Sequence, residues 1–185
     1  MIDFKSRYRM RVLLPAVIVS CLISAPVAAQ TAGLSLVPSV GSFDCGETFT
    51  LDLMVDAQTI DLHGSSVVLE FNDAILAPLA VQPGALVTGA ACPYFFDWTN
   101  ASAIGDSIAV DLANLGCSVE GPGSILRVTF EGSVSGVSAV DCRSGILRDS
   151  LNQDIPYTCT GAEVNYLCPI ADDPQAWGSL KALYR

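Results

Sequence analysis

The groups able to do chemistry in this 185-residue chain are seven cysteines, one histidine and nineteen carboxylates. A serine hydrolase would need His63 as its base, because no other histidine exists. His63 stands in Asp61-Leu62-His63-Gly64, which reads as a turn before a strand, and no Gly-x-Ser-x-Gly elbow presents a serine to it. Glycoside hydrolysis needs two carboxylates flanking a scissile bond, and nothing in the spacing of the acids singles out a pair. Zinc needs clustered thiolates or imidazoles. The closest cysteines, Cys159 and Cys168, have eight residues between them, and no Cys-x-x-Cys occurs. Gly121-Pro122-Gly123 lacks both the third glycine and the following helix of a nucleotide-binding loop. The chain is therefore expected to be no enzyme and to carry no metal or cofactor. The one alternative is a structural calcium held by scattered loop carboxylates and carbonyls.

What remains for the cysteines is cross-linking, and the N-terminus says where that happens. Lys5, Arg7, Arg9 and Arg11 precede an apolar stretch over residues 12–24 and the small residues Ala25-Pro26-Val27-Ala28-Ala29, so residues 1–29 read as an export signal. The apolar run is shorter than the ~20 residues a spanning helix needs, and no transmembrane span is expected in the processed chain. The expected location is extracellular; the alternative treats Ile18-Val19-Ser20-Cys21 as a lipoprotein box, with the protein anchored through Cys21. Export leaves six cysteines, an even number in an oxidising compartment, and three disulfides follow. Residues facing each other across a hairpin have numbers with a constant sum. Cys92 and Cys117 meet this test about Gly105, and Cys142 and Cys159 about residues 149–153, which leaves Cys45 for Cys168.

The exported chain keeps five basic and eighteen acidic residues, a net charge of −13. Phosphate backbones need clustered Lys and Arg, so nucleic acid is excluded as a partner. Fifteen glycines and ten prolines favour many turns over long helices.

Positioning any site falls to short segments rich in Val, Ile, Leu, Thr and Phe that recur between turn clusters, the rhythm of an all-β sandwich. Strands are expected over residues 34–37, 48–56, 65–71, 75–81 with 85–87, 94–99, 107–113, 124–132, 137–142 with 146–147, and 162–167. Alternation is clearest in Phe49-Leu51-Leu53-Val55 and in Ile108-Val110-Leu112, with one irregular step around Ile125, Val128 and Phe130. The densest aromatic run is Tyr94-Phe95-Phe96-Asp97-Trp98. Alternation assigns Phe96 and Trp98 to the core and turns Phe95 and Asp97 outward. The domain spans residues 30–167. Residues 168–185 are an acidic, proline-bounded linker and a tail in which Trp177, Leu180 and Tyr184 share one face of a short helix. Eleven residues cannot hold a helix alone in water, so the tail docks, binds something else or stays mobile.

Read together, Gly46-Glu47-Thr48-Phe49-Thr50-Leu51, the run from His63-Gly64-Ser65 through Leu69-Glu70-Phe71-Asn72-Asp73 to Ile75-Leu76, Pro83-Gly84-Ala85-Leu86, and Gly123-Ser124-Ile125-Leu126-Arg127-Val128-Thr129-Phe130 resemble a cohesin domain. Cohesins are the receptor modules of bacterial cellulosomes, and their nine-stranded jelly-roll sandwich is related to carbohydrate-binding modules. The resemblance implies a non-catalytic, monomeric recognition module that binds a protein partner of the dockerin kind; the alternative is direct polysaccharide binding. It further implies a binding face on the family's strands three, five, six and eight, which map to residues 65–71, 94–99, 107–113 and 137–142. Outward positions there are expected to be Glu70, Phe95, Asp97, Asp111 and Asn114.

Overall fold

A computed structural model describes residues 31–100 and 105–168. The export signal, Cys21 and the tail beyond Cys168 lie outside the described residues. Among the described residues eleven strands form two sheets. One has five strands: β1 (Ala32–Val37), β3 (Thr48–Val55), β5 (Leu76–Pro83), β8 (Gly123–Gly132) and β10 (Tyr157–Thr160), in the order β10-β1-β3-β8-β5. The other has six: β2 (Val40–Asp44), β4 (Gly64–Phe71), β6 (Tyr94–Asn100), β7 (Ser107–Asn114), β9 (Gly136–Arg148) and β11 (Ala162–Leu167), in the order β2-β11-β9-β4-β7-β6.

The period-2 rule explains why the sheets stack. Phe49, Leu51, Leu53 and Val55 all lie buried, while Thr48 and Thr50 are exposed. Opposite them Ile108, Val110 and Leu112 close the core from the six-stranded sheet. The irregular step near Ile125 is a bulge: Leu53 faces Leu126 and Met54 faces Ser124, so Ile125 has no cross-strand partner and turns inward beside Leu126. Phe49 stacks between Phe43 and Phe130, with centroids 4.8 and 5.5 Å away. Tyr166 is fully buried, and its hydroxyl donates to the Glu47 carbonyl at 2.6 Å.

Two strands were not foreseen, β2 and β10. Each is the second part or the first part of a chain pass that steps from one sheet to the other, at Pro38-Ser39 between β1 and β2 and at Gly161 between β10 and β11. The first and last passes run parallel across both sheets, β1 beside β10 and β2 beside β11. Residues 85–87, read as a strand, form instead a single helical turn, α1 (Ala85–Thr88), which inserts Val87 into the core. A segment that short buries one side chain in either conformation, so its pattern carries no period.

The disulfides are Cys45–Cys168, Cys92–Cys117 and Cys142–Cys159. These are the expected pairs, but only one is held by hairpin geometry. In the β6–β7 ladder Tyr94 faces Asn114, so Cys117 lies one residue beyond strict register with Cys92. Cys142 and Cys159 do not face each other across a hairpin. The chain turns after β9 through Asp149 to Gln153 and then crosses, so this bridge joins β9 of one sheet to β10 of the other. Cys45 and Cys168 continue the parallel β2–β11 ladder, in which Leu167 faces Asp44, by one more residue. Among the described residues no helix is long and apolar enough to cross a membrane. Three disulfides fit an oxidising, extracellular compartment.

Candidate functional site

The four strands mapped to the expected face are neighbours, in the order β9-β4-β7-β6. Their outward residues form rows, because antiparallel register sets one side chain beside the next. One row runs Asp97, Asp111, Ser66, Ile146, and the row beside it Phe95, Ala113, Gly64, Arg148. Glycine, alanine and serine keep the middle low. The ends, Phe95 on β6 and Ile146 on β9, stand proud, and between them lies an open groove of about 430 Å³. Phe95 is 52% exposed.

The expected patch is only partly assembled. Phe95, Asp97 and Asp111 are together, with Asp97 directly across from Asp111. Glu70 shares the face but sits farther along β4, opposite Ser107 and Asp141 and 3.9 Å from Arg143. Asn114 does not belong. It is 0% exposed, its Nδ2 donates to the Leu62 carbonyl at 3.2 Å, and its Oδ1 has no hydrogen-bond partner. The reason is parity: Asp111 points outward, so Asn114, three residues on, must point inward. Trp98 also departs from expectation, being 38% exposed although it faces inward with half-buried Phe96. β6 is an edge strand, and an edge has a neighbour on one side only, so its inner face is incompletely covered.

Gly64, Ser66, Ala113, Ile146 and Arg148 were not foreseen as site residues. Gly64 and Ser66 share the parity of Glu70 on β4, and Ala113 that of Asp111 on β7, so strict alternation would have found them; the signal of Ile146 and Arg148 was hidden by a bulge in β9, where Val68 faces Ser144 and Leu69 faces Cys142, leaving Arg143 without a cross-strand partner. The extra residue changes the phase of alternation, so 137–142 and 146–147 read as separate pieces with unrelated faces.

Electrostatically the face is one-sided. The described residues hold three arginines, and each is already paired: Arg127 with Asp52, Arg143 with Glu70, and Arg148 with Asp154. Like charges directly opposed across two strands repel, and no cation of the described residues is paired with Asp97 or Asp111. The Asp97 carboxylate also accepts the Trp98 N–H at 3.0 Å. His63 borders the groove, and its Nδ1 donates to the Cys117 carbonyl at 2.8 Å; among the described residues no serine hydroxyl is bonded to it. Behind the groove, hydrogen bonds from Ser118 and Ser150 hold the Asp61 carboxyl below the usual carboxylate range, the Ser150 hydroxyl at 2.6 Å. That ties the β9–β10 turn to the segment that leads through His63 into β4. No group of His, Cys, Asp and Glu among the described residues could hold a metal ion.

No family model matches this chain, and no curated protein does. Solved structures do. A non-cellulosomal cohesin from the archaeon Archaeoglobus fulgidus superposes with a TM-score of 0.63 at 13% identity, covering 80% of this chain and 97% of that one. The cohesin of a type I cohesin–dockerin complex from Clostridium thermocellum gives 0.61 at 15%, covering 78% and 99%. A cohesin module from a Clostridium perfringens family 33 glycoside hydrolase gives 0.60 at 10%, covering 75% and 97%. The chain thus has the fold of a cohesin domain, a jelly-roll β-sandwich.

Proposed function

We propose that this is an exported, non-catalytic recognition module that binds a protein partner through the outward face of β9, β4, β7 and β6. The observation that carries the reading is the face itself. A flat, pre-formed sheet sets an exposed Phe95 and a low floor of small residues beside two carboxylates that no cation of the described residues neutralises. An apolar anchor with adjacent unpaired charge suits a partner that offers both an apolar side chain and a cation. Solved complexes of the same fold are cohesins bound to dockerins, which supplies precedent for a protein on such a sandwich.

The polysaccharide alternative calls for a line of aromatic rings across one sheet face. The exposed aromatics of the described residues, Tyr94, Phe95 and Trp98, all sit on β6, and only Phe95 is on the outward face. A single ring at one edge supports a protein hot spot better than a sugar platform.

The test is capture from the secreted fraction of the source organism beside a glycan array, using the exported chain and its F95S/D97N/D111N variant. All three substitutions are at exposed positions, so the fold is expected to survive. A protein retained by the wild type and lost by the variant is the expected result. Glycan binding with no protein, or a captured protein indifferent to the three substitutions, would overturn the reading. So would turnover of glycans or esters that disappears in H63A.

A further inference from the structure

Among the described residues the two sheets end in four edge strands, β10 and β5 on one and β2 and β6 on the other. An edge strand presents a row of unpaired backbone N–H and C=O groups, and proteins blunt it with shortness, proline, bulges or charge. β10 has four residues and follows Pro156, and β2 has five and runs into the bridged Cys45. β5 carries Pro78 and Pro83 and a bulge between Pro78 and Ala80. β6 has none of these devices. Its seven residues, Tyr94–Asn100, pair with β7 without interruption, and the one charge among them is Asp97, at the centre.

The ladder shows which groups of β6 face the open side. The Leu115 N–H donates to the Pro93 carbonyl at 2.7 Å, in line with the register that sets Tyr94 opposite Asn114. Hydrogen-bonded and non-hydrogen-bonded pairs alternate along an antiparallel ladder. Phe95, Asp97 and Thr99 therefore turn their backbone groups to β7, while Tyr94, Phe96 and Trp98 turn theirs to the open side. Among the described residues no backbone group takes the Phe96 N–H. The Trp98 N–H is covered instead by a side chain, Asp97 Oδ1 at 3.0 Å.

This edge is complementary to itself except at its centre. Two strands that pair must both turn their bonding groups to the shared edge, so copies of β6 meet even residue to even residue. The antiparallel register that uses the whole strand sets Phe96 of one copy opposite Trp98 of the other, Phe95 opposite Thr99 and Tyr94 opposite Asn100. An aromatic pair in direct opposition favours such a ladder. Asp97 falls opposite itself. Two carboxylates would stand about 5 Å apart, with Asp111 as far again behind each, and the same side chain holds the Trp98 N–H that the register needs. The two Asp111 carboxylates alone would be three strand spacings apart, about 14 Å, beyond the ~8 Å over which charges act at physiological salt.

We propose that the open edge of β6 is a self-pairing surface whose partner is a second copy of this chain, antiparallel about a two-fold axis, and that the Asp97 carboxylate is the group that keeps it unpaired. A two-fold contact closes on itself, so association stops at the dimer. The pairing joins two six-stranded sheets edge to edge and leaves the outward face of β9, β4, β7 and β6 open, so it does not depend on the reading of that face.

Sedimentation of the exported chain over a wide concentration range, beside D97N and D97V, tests it. Asp97 is exposed, so neither substitution disturbs the core. D97N removes the charge but keeps an acceptor for the Trp98 N–H; D97V removes both. The wild type should be monomeric, and dimerisation should strengthen through D97N to D97V, by at least about tenfold overall. Cross-linking reads the register. Position 97 meets its own copy within disulfide reach, whereas position 99 lies about 13 Å along the strand from its own. D97C should therefore form an interchain disulfide and D97V/T99C should not. A D97V chain as monomeric as the wild type, a wild type that dimerises as tightly as D97V, open-ended aggregates in place of a dimer, or cross-linking at 99 and not at 97 overturns the inference. If D97V fails to fold, D97N carries the test, and a D97N chain no more dimeric than the wild type overturns it equally.

Discussion

Replacing Cys45 and Cys168 together by alanine tests the claim that the first and last strands are held by a covalent link placed in register. The bridge closes a loop of 123 residues, against 25 for Cys92–Cys117 and 17 for Cys142–Cys159. In the chain-entropy model the constraint on the unfolded state grows with the logarithm of loop length, giving about 5 kcal/mol for the longest loop and about 3 for the shortest. The bridge continues an existing parallel ladder, Asp44 opposite Leu167, so little native packing should change when it is removed. The loss should therefore sit almost wholly in the unfolded state. Urea denaturation of the wild type and the three double-alanine variants reads this directly. C45A/C168A should show the largest fall in stability, about 3–5 kcal/mol, with a steeper denaturant dependence as the unfolded chain expands. C142A/C159A is the informative contrast, because both of its sulfurs pack against the core and join the two sheets. If that variant is the less stable of the two, cavity formation outweighs loop entropy and the reasoning fails. It fails equally if C45A/C168A costs less than about 1 kcal/mol.

Three other outcomes are expected. Asn114→Asp should destabilise by about 3 kcal/mol or more, since it buries a carboxylate with no cation beside it, while Asn114→Ala should cost about 1 kcal/mol; chemical denaturation separates them. The Asp52 carboxyl is held below its usual value of 3.8 by its hydrogen bonds from Arg127 at 2.8 and 2.9 Å, with a further bond from Ser124 and opposed by partial burial. A lowered folded-state pKa means stability that is present above the unfolded value and lost as pH falls through the folded one. Denaturation midpoints between neutral pH and pH 2 should therefore decline in acid, and D52N should decline less. Gly84→Ala would drive its new methyl group into the Ser124 backbone carbonyl, whereas Gly46, at φ +79, has open space around it. The first should cost more than the ~1 kcal/mol expected of the second, and a thermal melt that reverses this order would show the α1 corner to be yielding.

Which residues could be inside and which cysteines could pair were legible from local rules: side-chain parity along a strand and an even thiol count after residue 29. Parity alone also turned Phe95, Asp97 and Asp111 outward and, applied strictly, would have withheld Asn114. The three-dimensional packing decided the rest. A bulge at Arg143 carries β9 past its apparent end and brings Ile146 and Arg148 to the groove, and an edge position leaves Trp98 uncovered. The crossing after the Asp149 to Gln153 turn puts Cys142 and Cys159 in different sheets, and the steps at Pro38-Ser39 and Gly161 set the two ends of the domain side by side. Parity is a property of one strand and survives in the linear order of residues. Bulges, edges and sheet changes are relations between strands distant in the chain, and they come into being only when those strands pack.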